Sequence, residues 1–256
     1  MSGEIRVAAA DPASWHKLHY RLKAADALKI VEKNVAEILR LADRAADEGC
    51  IAVAYPEDTL GMLGWQSHHL DDQKPLVEPA DEMLFEAVSA KAAERSIYVI
   101  VCTDVFCGDD LMNAAVLFGR DGKEIGRYHK VNLPLHEQTK KRGNGFPVYQ
   151  TDELGGIGMC ICYDMVFPET TRALALNGAD VVFHLTMGGA ACPGGAASDA
   201  AFMTRAADNE LYIVVAWRGN SRIIAPSGEV LAAAEKGKAL TMAEFDPRAG
   251  REFGDA

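Results

Sequence analysis

The apolar positions change period several times along this chain, and each change marks an element. Ile5–Ala10 is a short continuous apolar run and reads as a strand, while Pro12–His19 reads as a loop. From Lys29 to Glu48, apolar residues recur at helical spacing (Ile30, Val31, Val35, Ile38, Leu39, Ala42, Ala45), and Gly49 supplies the stop. Cys50–Tyr55 is again a buried strand, followed at once by Pro56-Glu57-Asp58. Pro75–Asp81 reads as a connector, Glu82–Arg95 as a second amphipathic helix and Ile97–Thr103 as a strand of β-formers. Asn113–Phe118 and Glu124–Tyr128 flank an Asp-Gly turn and predict a hairpin.

In the second half, a strand from Ile157 leads into a helix over Pro168–Asn177, closed by Gly178. Asp180–Leu185 is a strand, Ser198–Asn209 a helix and Leu211–Ala216 a strand. A hairpin then forms around Pro226-Ser227-Gly228, and Thr241–Phe245 is a last strand. No internal repeat and no Pro- or Ser-rich linker divides the chain. The pattern predicts one α/β domain over residues 1–256, with helices outside and sheets inside.

Composition narrows the function classes. A net charge of −11 argues against a nucleic-acid surface, which needs clustered Lys and Arg. No apolar run reaches the roughly 18–20 residues of a membrane-spanning helix, and the N-terminus lacks a signal-peptide pattern. Six cysteines, two of them alternating with Ile161 in one strand, do not form a disulfide framework. Reduced thiols and a cytoplasmic location are the simplest expectation.

The chemistry concentrates at strand ends. Ile157–Arg172 runs from a strand through Cys162-Tyr163-Asp164 to Phe167-Pro168-Glu169, where Pro suits a helix's first turn and Glu its positive end. A cysteine there can project its sulfur into a cleft. Taken alone, Cys162 reads more readily as a small buried hydrophobe, as Cys160 does. Glu57 and Lys130 change the balance, because each also directly follows a predicted strand, and clefts in α/β folds lie beyond strand carboxyl ends. In such a cleft Glu57 would act as general base, Lys130 would stabilise a developing oxyanion and Cys162 would attack.

Three blocks carry a resemblance: Tyr55-Pro56-Glu57, Tyr128-His129-Lys130-Val131-Asn132-Leu133-Pro134, and Cys162-Tyr163-Asp164 with Phe167-Pro168-Glu169. In order and separation they resemble the signature blocks of the nitrilase superfamily of carbon-nitrogen hydrolases, from about Ile5 to Phe245. The resemblance implies an α-β-β-α four-layer sandwich, with two mixed sheets flanked by helices. It also implies cofactor-free hydrolysis of a non-peptide C–N bond in a small soluble substrate, through a cysteine thioester. It carries over Glu57, Lys130 and Cys162 as catalytic residues and Glu137, seven residues past Lys130, as the carboxylate that holds the lysine. The Tyr163 N–H would be a second oxyanion donor. Relatives commonly dimerise, so a homodimer or higher homo-oligomer is expected.

Tyr163 and Asp164 stand where nitrile-hydrolysing members usually have Trp and Glu, which favours the amidase and carbamoylase branches over a nitrilase. A non-catalytic member of the fold is the reading from another class. Asp164 and Glu169 are expected to do structural work, such as pairing with Arg172 or capping the helix. Val166, the Met187–Gly195 run and Trp217 depart from common family residues. Trp65, Met187, Trp217 and Tyr163 are the candidate substrate contacts, although Trp65 reads equally as surface loop and Trp217 as core filler. Lys140–Gly145 reads as a solvated basic loop. No metal is expected: His136-Glu137 opens a zinc motif, but its fifth position is Lys140.

Overall fold

A computed structural model describes residues 3–12, 15–188 and 196–249. Its strands form two six-stranded sheets among these residues. The first contains β1 (Ile5–Ala10), β2 (Ala52–Ala54), β3 (Tyr98–Cys107), β4 (Asp110–Phe118) and β5 (Glu124–His129). The second runs through β6 (Val148–Thr151), β7 (Gly155–Ile161), β8 (Val181–Thr186), β9 (Tyr212–Trp217), β10 (Arg222–Ile224) and β11 (Val230–Ala233). The chain then returns as β12 (Leu240–Phe245) to the first sheet, antiparallel to β1. Strand orders are β12-β1-β2-β3-β4-β5 and β11-β10-β9-β8-β7-β6. Both sheets are mixed, with a parallel centre (β1-β2-β3 and β7-β8-β9) and antiparallel flanks.

Parallel neighbours need a crossover, and helices supply it. In the first sheet these are α1 (Ala24–Asp47) and, after the single turn α2 (Leu63–Gln66), α3 (Lys74–Arg95). In the second they are α4 (Pro168–Leu176) and α5 (Ala196–Asn209). The alternation of each central strand shows why the layers stack as they do. Val7, Ala9, Ala52, Ala54, Ile100, Met159, Ile161 and Phe183 point into one core between the sheets. Their neighbours Ala8, Val53, Val99 and Val101 join a second core under α1 and α3. Cys160, Val182, Ile213 and Val215 join a third under α4 and α5. Strands apolar on both faces bury on both faces, and the result is the expected four-layer α-β-β-α sandwich.

The boundaries differ from expectation in several places; α1, for one, opens at Ala24 instead of Lys29, and β2 is shorter than the expected Cys50–Tyr55. The Pro75–Asp81 connector is instead the opening of α3, because Leu76, Val77 and Ala80 already belong to its buried stripe. Pro75 sits in the first turn, and the bond Pro79 cannot donate would have gone to the carbonyl of Pro75, near the helix start. β3 and β4 run on past the predicted ends into a hairpin that closes at Cys107 and Asp110. The short strand β6 had no period-two signal; it is an edge strand, half-exposed, paired only with β7.

Candidate active site

The carboxyl ends of β2 and β7 and the end of β5 meet at one place between the sheets. Tyr55 fixes the first: it is fully buried, and its hydroxyl donates to the Ile38 carbonyl of α1 at 2.6 Å. Glu57 follows two residues later, 5% exposed. Lys130 leaves the end of β5, its own N–H held by the Asn113 carbonyl at 2.9 Å, and its side chain is fully buried. The ammonium donates to Glu57 Oε1 at 2.8 Å and to Glu137 Oε2 and Oε1 at 3.0 and 3.2 Å. Glu137 lies on a 3-10 turn, Leu135–Glu137, that the chain enters from Pro134.

Cys162 begins another 3-10 turn, Cys162–Val166, between β7 and α4. Its φ is +43°, a left-handed conformation that side-chain-bearing residues adopt at a cost. The turn lifts the residue off the strand and brings its thiol toward the Glu57 carboxylate. Burial pushes Glu57 up, but the charge and bond of Lys130, the charge of Lys140 and the thiol more than offset it. The carboxyl is therefore held below its usual range. Burial also disfavours the Lys130 ammonium, yet Glu57, Glu137 and Cys162 outweigh it and raise its pKa. Glu57 is an ionised acceptor and Lys130 a fixed cation, with the sulfur beside both.

Asp164 ties two sequence blocks together. Its carboxylate accepts from Tyr128 Oη at 2.7 Å, Asn132 N at 2.9 Å, Asn132 Nδ2 at 3.0 Å and Ile161 N at 2.9 Å. Asp164 is thus structural, as expected, and the bond from Ile161 caps the cysteine turn. Its partner is not Arg172, whose guanidinium reaches the Asp208 carbonyl at 2.7 Å.

Asn113 belongs to the cluster although no motif pointed to it, and Met187, expected as a substrate contact, joins it through its backbone. Asn113 donates from Nδ2 to Glu57 Oε1 at 2.9 Å, and Met187 N donates to Oε2 at 3.4 Å. A polar side chain between Met112 and Ala114 in an apolar strand was the available hint for Asn113. Lys140 is a correction: it is not part of a solvated loop. Its side chain is 7% exposed and pairs with the equally buried Asp104 at 2.7 Å, because the turn after Glu137 folds it inward against β3.

A cavity of about 340 Å³ opens next to this cluster, walled by Leu63, Leu111, Met187, Glu137 and Lys140, with Lys17 and His136 also lining it. Met187 is therefore placed at the site. Trp65 does not line the cavity; it is 2% exposed, with its indole bonded to the Leu22 carbonyl at 2.8 Å and stacked on His69. Only its neighbours Gly64 and Gln66 reach the wall. Trp217 packs edge-on to Phe202 and against the backbone of Gly188, where a Cβ would meet the indole nitrogen at 2.1 Å. Tyr163 is half-buried, edge-to-face with Phe167. Residues 189–195 of the Met187–Gly195 run lie outside the described residues.

Parallel-centred sheets packed face to face, with a carboxylate, an ammonium and a thiol buried together at strand ends, define a protein of mixed α/β architecture with a buried ionic cluster at those ends. The sequence pattern of the carbon-nitrogen hydrolase family matches residues 13–254, and the chain belongs to that family. It is 29% identical over 239 residues to a deaminated glutathione amidase of Synechocystis sp., covering 84% of this chain and 86% of that protein. It is 30% identical over 235 residues to a nitrilase of Pyrococcus abyssi, covering 84% of each. A carbon-nitrogen hydrolase from Helicobacter pylori shares the fold, with a TM-score of 0.82, 19% identity and coverage of 98% of this chain and 92% of that one.

Proposed function

We propose that the protein is an amidase or N-carbamoyl amide hydrolase, acting on a small soluble substrate without a cofactor through a Glu57–Lys130–Cys162 triad. The observation that carries this reading is the joint burial of Glu57, Lys130 and Cys162, with the lysine paired to Glu57 on one side and Glu137 on the other. The Cys162 sulfur attacks the amide carbonyl carbon, and its proton passes to Glu57. Negative charge develops on the carbonyl oxygen, beside Lys130 Nζ and the Tyr163 N–H. Glu57 returns the proton to the departing nitrogen, the C–N bond breaks, and ammonia or an amine leaves a thioester. Water, deprotonated by Glu57, then attacks the thioester carbonyl, and the acid departs as the thiol is re-formed. Glu137 keeps Lys130 in place throughout. Met187 borders the acyl group, and Trp217 supports the loop that carries it.

The amidase leaning over a nitrilase rests on Tyr163 and Asp164 and on the amidase relative. The same reading places the working enzyme in the cytoplasm as a homodimer or higher homo-oligomer, on the strength of its family resemblance and reduced cysteines. Residues 1–256 act as one catalytic domain, a view supported by the return of β12 to β1. The test is ammonia release from small amides, N-carbamoyl amino acids and nitriles, with wild type and Cys162→Ala, in the presence of a chelator. Release from amides or carbamoyl compounds that resists the chelator and vanishes in the variant is the expected result. Release only from nitriles would make the protein a nitrilase, and release unchanged in Cys162→Ala would remove the cysteine mechanism.

A further inference from the structure

Lys130 is not the only buried cation in the cluster. Lys140 lies one turn past Glu137, its N–H bonded to the Glu137 carbonyl at 2.9 Å. Its ammonium reaches both carboxylate oxygens of Asp104, at 2.8 and 2.7 Å. Asp104 sits on β3 directly opposite Asn113 on β4, and Asn113 is the residue that donates to Glu57. Lys141 N continues the attachment, donating to the Leu111 carbonyl at 2.7 Å. The turn that presents Glu137 is therefore fastened to β3 and β4 by the buried Lys140–Asp104 pair, the exposed Lys141–Asp110 pair and one backbone bond. A buried ion pair contributes little net stability against an apolar replacement, so its presence beside a reacting centre calls for another reason.

We propose that Lys140 is a positioning residue for the hydrolysis: anchored on Asp104, it fixes the turn bearing Glu137 and adds a second positive charge to the field at Glu57. This rests on the amidase reading. The small gap among Glu57, Asp58, Asp104, Asn113, Glu137 and Lys140 holds about 10 Å³, room for about one water, so the lysine and these carboxylates face each other across a narrow space. The charged and titratable groups facing Glu57 are Lys130 from β5, Cys162 from the elbow, Lys140 and Glu137 from the turn, Cys102 and Asp104 from β3, His184 from β8 and the adjoining Asp58. Of these, Lys130 and Lys140 are the cations. Burial works against the Lys140 ammonium, but Asp104, Glu137 and Glu57 together keep it charged.

The sign of the effect follows. A positive charge near Glu57 favours the carboxylate, so removing it raises the pH at which the general base becomes protonated. Lys140→Met should lower kcat between about 10- and 100-fold, with KM little changed, and move the acid limb of kcat/KM upward by about one pH unit. Lys140→Arg should restore the wild-type limb. Asp104→Asn keeps an oxygen for the lysine but removes a negative charge, so its limb should move downward. This variant also serves if Lys140→Met does not fold.

The experiment is the pH profile of ammonia release from the best amide, joined to the pH dependence of Cys162 alkylation by iodoacetamide, read by peptide mass. The alkylation readout needs no substrate. An unmoved limb in Lys140→Met, or an upward or unmoved one in Asp104→Asn, would overturn the inference while Cys162→Ala and Glu57→Gln remain inactive. Release that survives Cys162→Ala overturns the amidase reading and this inference together.

Discussion

At the scale of single residues, the cluster is held by charge and Cys162 by strain. Lys130 is fully buried between two carboxylates, so Lys130→Met would leave Glu57 and Glu137 buried without their cation. Breaking a buried pair in this way typically costs about 3–5 kcal/mol. The variant should lose activity and unfold at lower urea, and Lys130→Met combined with Glu137→Gln should recover part of the lost stability. Equal stabilities for the single and double variants would show that Glu137 is not charged against the lysine. Cys162 carries the opposite kind of tension. Its φ of +43° suits glycine better than any residue with a Cβ. Cys162→Gly should therefore be more stable than Cys162→Ala by about 1 kcal/mol, both being inactive. A glycine variant no more stable than alanine would mean that the left-handed turn stores nothing.

At the scale of elements, the junction between β5 and the cysteine elbow is made by Asp164. Two of its four bonds come from Asn132 and one from Tyr128, all in the lysine block, and the fourth comes from Ile161 at the end of β7. This carboxylate fixes the distance between two strands in different sheets, so its loss should act on geometry as well as stability. Tyr128→Phe removes one bond from a buried acceptor and should cost about 1.5–3 kcal/mol. It should also depress kcat more than KM, because the Lys130 and Cys162 ends drift apart. Unfolding curves and steady-state amide hydrolysis together check this, and a loss of stability with kcat intact would reduce the contact to packing.

The same junction shows what the sequence made legible. Glu57, Lys130 and Cys162 could be found because each ends a run of β-formers, and the cleft side of such runs is known in advance. Glu137 came from resemblance alone. The partners of Asp164 could not be found, since they depend on how two sheets face each other, and no local pattern encodes that. Asp164 read as structural, pairing with Arg172 or capping the helix; that it would bind Tyr128 and not Arg172 is a property of the tertiary fold.

At the scale of the whole molecule, the layers were legible because apolar residues fill both faces of the central strands. What lay hidden was how much charge the fold would draw inside. Lys140 looked like one of several solvated cations and Asp81 like part of a connector, yet both are buried near Asp104. Burial, aided by the nearby Asp104 carboxylate, pushes Asp81 up to about 8. An unfolded Asp titrates near 4, so below that pH both states carry the proton and the preference of the fold for the neutral acid is fully expressed. As pH rises from about 4 toward 8, the unfolded chain releases a proton that the folded chain keeps, and this part of the stability is lost. Asp81→Asn cannot ionise, and its amide still offers an oxygen to Thr103, whose hydroxyl lies 3.3 Å from the acid. The variant should thus gain on wild type as pH rises, its advantage growing by about 2 kcal/mol or more between pH 5 and pH 8. Urea unfolding at those two values measures it. Parallel pH dependences would mean that Asp81 stays ionised within the fold, with Lys140 shared between two carboxylates instead of held by one.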